Sequence, residues 1–171
     1  MDDASNSPVD AGPNTRLVHC GNDPREFHGF VNPPVVHAST VLFPDARTMA
    51  ARAQRYTYGT RGTPTTDALC TAIDELEGSA GTVLLPSGLA AVTVPLLAFL
   101  SPGDHVLLVD SIYTPTRHFA DTVLTRFGVQ VEYYAPEIGG GIERLMRPNT
   151  RVVFTESPGS TTFEVQDVPA I

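Results

Sequence analysis

From residue 80 onward the chain alternates short apolar runs with helical segments, and no other feature limits its fold as much. Residues 80–85, 105–109, 129–134 and 151–155 are near-continuous apolar stretches, the pattern of strands covered on both faces. Between them, residues 88–100 read as a buried helix, kinked or irregular at Pro95. Residues 116–127 read as a helix with Phe119, Val123, Leu124 and Phe127 on one face and Gly128 as its stop, and 142–146 as a short helix. The order strand, helix, strand, helix, strand, helix, strand predicts an α/β fold, a mostly parallel sheet flanked by helices and joined by right-handed crossovers. A sheet that stops at Ile171, directly after a strand and its loop, is expected to be the first part of a longer one.

The segment before this pattern is different. Residues 1–14 are rich in Asp, Ser, Asn, Pro and Gly and read as a disordered tail. Residues 15–44 carry scattered apolar groups among Pro24, Pro33, Pro34 and Pro44 with no helical or strand period, which predicts an extended arm of the kind that lies across a partner subunit. Residues 45–54 look helical, and 56–63 form a glycine-containing loop. Thr63 then caps a helix that has Pro64 in its first turn, Leu69, Ile73 and Leu76 at helical spacing, and Gly78 as its end. The expected organisation is a tail at 1–14, an arm and helix at 15–55, and part of a larger domain at 56–171.

A net charge of −8 without any basic cluster argues against nucleic acid and against an anionic membrane surface. The longest apolar run, 89–100, is too short to span a bilayer and is interrupted by Thr93 and Pro95. The polar, acidic start is not a secretory signal, and Cys20 and Cys70 have neither metal spacing nor a CxxC arrangement. A soluble cytoplasmic protein with reduced thiols is expected. His19, His28, His37, His105 and His118 show no ligand spacing, so no metal site is expected.

In open α/β sheets ligands bind beyond the carboxyl ends of the strands. Three such ends carry polar or aromatic groups: Pro86-Ser87-Gly88-Leu89, Asp110-Ser111-Ile112-Tyr113 and Glu156-Ser157-Pro158-Gly159-Ser160. The first opens a helix, whose N-terminal N–H groups and dipole suit a phosphate. Each element also has a plainer reading: Ser87 as a helix cap, Tyr113 as a half-buried packing residue, Ser-Pro-Gly-Ser as a turn. Gly139-Gly140-Gly141 lacks the strand-adjacent context of a phosphate fingerprint and reads as a flexible connection.

Taken together, the blocks at 15–21, 32–36, 39–43, 58–65 (Tyr-Gly-Thr-Arg-Gly-Thr-Pro-Thr), 75–78, 86–91 (Pro-Ser-Gly-Leu-Ala-Ala), 102–107 and 156–160 (Glu-Ser-Pro-Gly-Ser) resemble the Cys/Met-metabolism, or trans-sulfuration, enzymes that depend on pyridoxal 5′-phosphate. Within that family they are most like the cystathionine β-lyases. The resemblance implies the aspartate-aminotransferase-like (fold type I) architecture and a homodimer or homotetramer whose active site is shared between subunits. It implies a carbon–sulfur lyase that takes cystathionine to homocysteine, pyruvate and ammonia by α,β-elimination, in methionine biosynthesis. It also implies residue roles. Gly88 and Leu89, beside Ser87, would bind the cofactor phosphate through N–H groups, and Tyr113 would stack on the pyridine ring. Tyr58 would reach the neighbouring subunit's phosphate and assist proton transfer, and Ser160 and Glu156 would lie near the cofactor. The family's phosphate-binding arginine would fall at Thr60; Arg61, one residue further, either replaces it or makes a structural contact.

All eleven basic residues are arginine. Family members hold the cofactor covalently through a lysine that follows a Ser-x-Thr stretch well beyond residue 171. An arginine does not replace it, because its guanidinium stays protonated. The chain is therefore expected to be the N-terminal part of a longer enzyme and inactive alone. Alternatives are another reaction of the same family (γ-lyase, γ-synthase or sulfhydrylase), a non-catalytic lysine-free module, and an unrelated nucleotide-binding α/β domain, whose glycine fingerprint is missing.

Overall fold

The computed structural model describes residues 12–171; most of the expected tail, 1–11, lies outside the described residues. The chain forms two compact units, one reaching to Leu84 and the other comprising Leu85–Ile171. This packing boundary falls later than the 55/56 border between arm and larger domain that the sequence suggested.

In the first unit, helix α1 (Pro13–His19) begins inside the stretch expected to be tail and arm, with Pro13 in its first turn. No strand and no further α-helix occurs from there to helix α2 (Ala46–Ala51). Asp45 caps α2 by accepting the Thr48 N–H at 2.7 Å, and Arg52, in the left-handed region, ends it short of residue 54. The arm is tied to its own unit through polar contacts. Val36 N–H donates to Thr65 Oγ1 at 2.9 Å, and Gly59 N–H donates to the Ser39 carbonyl at 2.7 Å. Gly59 must be glycine because a Cβ there would stand 1.9 Å from the Ala38 carbonyl oxygen. Helix α3 (Pro64–Glu77) has the expected start and stop. Thr63 and Thr66 form a reciprocal capping box, and Gly78 turns left-handed at φ 61°. Its apolar stripe is not buried, however; Leu69 and Leu76 are both exposed.

In the second unit a three-stranded parallel sheet has the order β2-β1-β3, with β1 His105–Val109, β2 Gln130–Tyr134 and β3 Thr150–Phe154. Strand β1 pairs with both neighbours, Val109 opposite Tyr134 and Leu108 opposite Phe154, and its five residues are buried. This is the covered parallel strand that its unbroken apolar run predicts. Helix α4 (Gly88–Phe99) packs on β3 and on helix α5 (Thr114–Phe119).

Four elements differ from expectation. Residues 80–85 are not a strand: they pair with no other segment among the described residues, and Val83 is 82% exposed. Helix α4 continues through Pro95, but of its residues only Leu96 is buried, at 2% exposure, while Phe99 is 71% exposed. The expected helix 116–127 starts earlier and changes type, with α5 giving way to a π turn (Ala120–Leu124) and a 3₁₀ turn (Thr125–Phe127) before Gly128. Thr122 and Thr125 bond back to the carbonyls of His118 and Asp121, the type of contact that bends helices. Finally, the short helix at 142–146 is part of a 3₁₀ segment, Pro136–Leu145, broken at Gly139 (φ 47°).

Candidate active site

The residues singled out from the sequence fall in both units. In the second unit Tyr113, Glu156 and Ser160 lie beyond the carboxyl ends of β1 and β3, where the parallel-sheet rule places a ligand, whereas no strand directly precedes Ser87, Gly88 and Leu89. Ser87 is the N-cap of α4, and its Oγ accepts the Ala90 N–H at 3.1 Å. Gly88 and Leu89 follow in the first turn, and their N–H groups meet no acceptor among the described residues. Nothing lies within 4 Å of where a Gly88 side chain would begin. Two free main-chain donors, the positive end of a twelve-residue helix and open space in front of them make a seat for an anion.

Tyr113 starts α5 immediately beyond the loop that follows β1, with its side chain half exposed. The loop after β3 meets this loop directly. Tyr113 N–H donates to Glu156 Oε2 at 3.1 Å, and Ser160 N–H donates to the Ser111 carbonyl at 2.9 Å. Gly159 is buried against Ser111; a Cβ on it would stand 2.4 Å from Ser111 Oγ and 2.6 Å from Ser111 Cβ. These bonds bring Tyr113, Glu156 and Ser160 together, and α4 packs on α5 and β3, the elements next to which they lie.

The β1 loop is also held from the other side. Arg117 Nη2 donates to the Asp110 carbonyl at 2.6 Å and pairs with its carboxylate at 2.5 Å. The same guanidinium lies 3.8 Å from the centre of the Tyr133 ring. Tyr133 donates to Asp121 at 2.7 Å, and burial together with that carboxylate pushes its phenol well above the usual range.

In the first unit, Tyr58 precedes and Arg61 ends a 3₁₀ turn (Gly59–Arg61), and both line one polar cavity of about 240 Å³ with Arg55, Tyr56 and Asp67. Arg55 is neutralised by Asp67 at 3.1 Å and Glu26 at 3.7 Å. Tyr56 donates to Asp67 at 2.9 Å, and burial first, then that bond, raises its pKa. Arg61 has no ion pair and Tyr58 no side-chain hydrogen bond among the described residues. Both are exposed, with polar ends unspent.

Sequence reasoning missed Gln166, which is buried and braces the β3 loop. Its N–H donates to Ser157 Oγ at 2.9 Å, its Nε2 donates to the Glu156 carbonyl at 2.7 Å, and its Oε1 accepts the Tyr134 hydroxyl at 3.0 Å. A lone glutamine carries no local pattern that would have marked it. It also missed the buried network around His105. That ring's Nδ1 lies 2.8 Å from Thr150 Oγ1 and its Nε2 3.2 Å from Glu132. The network sits at the opposite, amino end of the sheet. Among the described residues no group of three or more His, Cys, Asp or Glu could hold a metal, and no helix is long and apolar enough to cross a membrane.

Residues 14–171 match the family described as Cys/Met metabolism PLP-dependent enzyme. A putative cystathionine β-lyase of Rhizobium johnstonii is 70% identical over the whole chain, which covers 43% of that relative. The cystathionine β-lyase MetC of Escherichia coli K12 is 43% identical over 92% of the chain, covering 41% of that relative. Among solved structures, metB from Corynebacterium glutamicum superposes with a TM-score of 0.87 at 27% identity, over 96% of this chain and 42% of that one. The chain thus spans less than half the length of the relatives it matches.

Proposed function

The chain belongs to the Cys/Met-metabolism PLP-dependent enzymes, and on that premise we propose that it carries the phosphate seat and ring-facing wall of a carbon–sulfur lyase that cleaves cystathionine by α,β-elimination. The observation that carries this reading is the 70% identity, across the whole chain, to a putative cystathionine β-lyase.

The residues present fit the cofactor. Main-chain N–H groups of Gly88 and Leu89 would hold its phosphate, with the dipole of α4 behind them. Ser87 Oγ is committed as an acceptor to Ala90 N–H, which leaves its own proton to donate. Tyr113 offers a half-exposed aromatic face to the pyridine ring. When bound, pyridoxal phosphate supplies an electron sink for a carbanion at the substrate's α-carbon, which is what loosens the bond to sulfur at the β-carbon. No lysine is present and arginine is not nucleophilic, so this chain's own groups would hold the cofactor through main-chain phosphate contacts and the ring contact, without a covalent bond.

Tyr58 and Arg61 belong to the reading as the part contributed to a second copy of the chain, in a dimer or tetramer with shared sites. Their unspent hydroxyl and guanidinium suit a phosphate and a proton-transfer step there. A cytoplasmic location and a place in methionine biosynthesis go with this reading.

The test is product analysis with cystathionine and the product of the intact gene. Cleavage on the β side releases pyruvate and homocysteine. Release of 2-oxobutyrate and cysteine instead would replace the β-lyase with a γ-lyase, and no cleavage of either bond would remove the lyase reading.

A further inference from the structure

We propose that Glu156 is a positioning residue for Tyr113: its carboxylate, presented by the loop after β3, fixes the main chain of the loop after β1 and through it the plane of the tyrosine ring. The inference rests on the reading of Tyr113 as the ring that faces the cofactor.

A ring that is 46% exposed is only partly fixed by packing. Its direction therefore depends strongly on the main chain that carries it. Residue 113 is the N-cap of a helix of only six residues and has no side-chain cap of its own. Its carbonyl accepts the N–H groups of Thr116 and Arg117, at 2.9 and 3.1 Å. Its own N–H, which no helical carbonyl can accept, goes to Glu156 Oε2 at 3.1 Å. Removing that acceptor frees the tyrosine to rotate about the start of α5.

Glu156 is suited to the task because it is itself held and otherwise uncommitted. Its carbonyl accepts Nε2 of the buried Gln166 at 2.7 Å. The Tyr134 hydroxyl proton is in turn shared between Gln166 Oε1 at 3.0 Å and the Phe154 carbonyl at 2.9 Å. A continuous set of hydrogen bonds thus runs from β2 and β3 to the main chain of Tyr113. No arginine pairs with the Glu156 carboxylate among the described residues. A carboxylate without a cation, spent on one amide, is explained by positioning better than by ion pairing. The Ser160 to Ser111 bond and the close seating of Gly159 on Ser111 hold the two loops in register, so the carboxylate approaches the amide from one direction.

The experiment uses the 171-residue chain and two readouts. The first is the Tyr113 amide, which donates to Glu156 Oε2, followed by heteronuclear NMR at one pH. Its exchange with solvent deuterium is expected to speed up at least about fivefold in Glu156→Ala and to stay within about twofold in Glu156→Gln. The second is reversible binding of pyridoxal phosphate, followed by absorbance. Glu156→Ala is expected to weaken it about fivefold to tenfold, the effect of one hydrogen bond. Glu156→Gln, whose amide oxygen still accepts, is expected to stay within about twofold. Tyr113→Ala, run alongside, separates the two readings. If it leaves affinity unchanged, the role given to Tyr113 is wrong. If it weakens binding while Glu156→Ala does not, the positioning role is wrong and the ring contact stands. A Tyr113 amide that exchanges as fast as an unbonded one in the unmodified chain overturns the proposal without any variant having to fold, as does an equal loss of affinity in the Gln and Ala variants.

Discussion

Replacing Gly159 with alanine is the sharpest test of how the two strand-end loops fit together. The new Cβ would stand 2.4 Å from Ser111 Oγ and 2.6 Å from Ser111 Cβ, with the Ser111 carbonyl oxygen at 3.3 Å. Ordinary contact begins near 3.4 Å, so the loops must separate by about 1 Å, and a rotamer change of Ser111 cannot move its Cβ. Separation on that scale stretches the Ser160 to Ser111 hydrogen bond, now 2.9 Å, beyond useful length. Overpacking costs about 1–3 kcal/mol and the lost bond about 1 kcal/mol, giving roughly 2–4 kcal/mol in all. The assay is equilibrium urea denaturation of Gly159→Ala, Ser111→Gly and the double variant, read as a double-mutant cycle. Ser111→Gly removes the atoms that clash, and its buried Oγ has no hydrogen-bond partner among the described residues to forfeit. The double variant is therefore expected to recover at least about 1 kcal/mol relative to the sum of the single changes. If alanine costs less than about 0.5 kcal/mol, or if the two substitutions simply add, then Gly159 is not seated on Ser111 as described.

Two further outcomes follow from other parts of the structure. Gly88→Ala meets open space, so urea stability is expected to change little while the added methyl enters the anion seat and weakens pyridoxal phosphate binding; unchanged affinity would move the phosphate elsewhere. His105 is fully buried, and its pKa is lowered first by burial and then by Arg147, against the opposing pull of Glu132. The native state therefore keeps the ring neutral while the unfolded chain takes up a proton near pH 6.5. Stability is complete above about pH 6.5 and falls as pH drops below it, by at most about 1.4 kcal/mol per unit until the folded pKa is reached. Urea midpoints from pH 7 to 5 should show this slope, and His105→Gln should flatten it. A slope that survives the substitution assigns the effect to another group.

What the sequence revealed depended on whether the deciding partner was local. Strand β1 was legible because a parallel strand covered on both faces needs an unbroken apolar run, and 105–109 is nearly one. Helix α3 was legible because its cap, first-turn proline and terminal glycine lie within the helix's own sixteen-residue neighbourhood, from Thr63 to Gly78. Residues 80–85 have strand composition, but a strand exists only beside another, and that is not a property of the segment. Helix α4 is apolar on every side, so composition predicts burial, whereas burial is decided by what covers each side. The same division holds at the site. Ser87, Gly88, Leu89 and Tyr113 could be proposed because they follow segments that read as strands, although the segment before Ser87 is not one. The Tyr113 to Glu156 contact joins positions 43 residues apart, and neither residue's neighbours announce it.

The two glycines of the site show why an anion seat is read from sequence by permission rather than by chemistry. A phosphate held by main-chain N–H groups leaves no functional side chain to recognise, only residues that let the main chain come forward. Gly88 is such a residue, because the space in front of it is empty. Gly159 looks the same in sequence, a glycine in a turn after a strand, yet its space is filled by Ser111. On the proposed reading one glycine keeps room for a ligand, and the other allows two loops to touch. Substituting alanine separates these roles: at Gly88 it should alter binding without stability, and at Gly159 it should alter stability first and binding only through the displaced Tyr113.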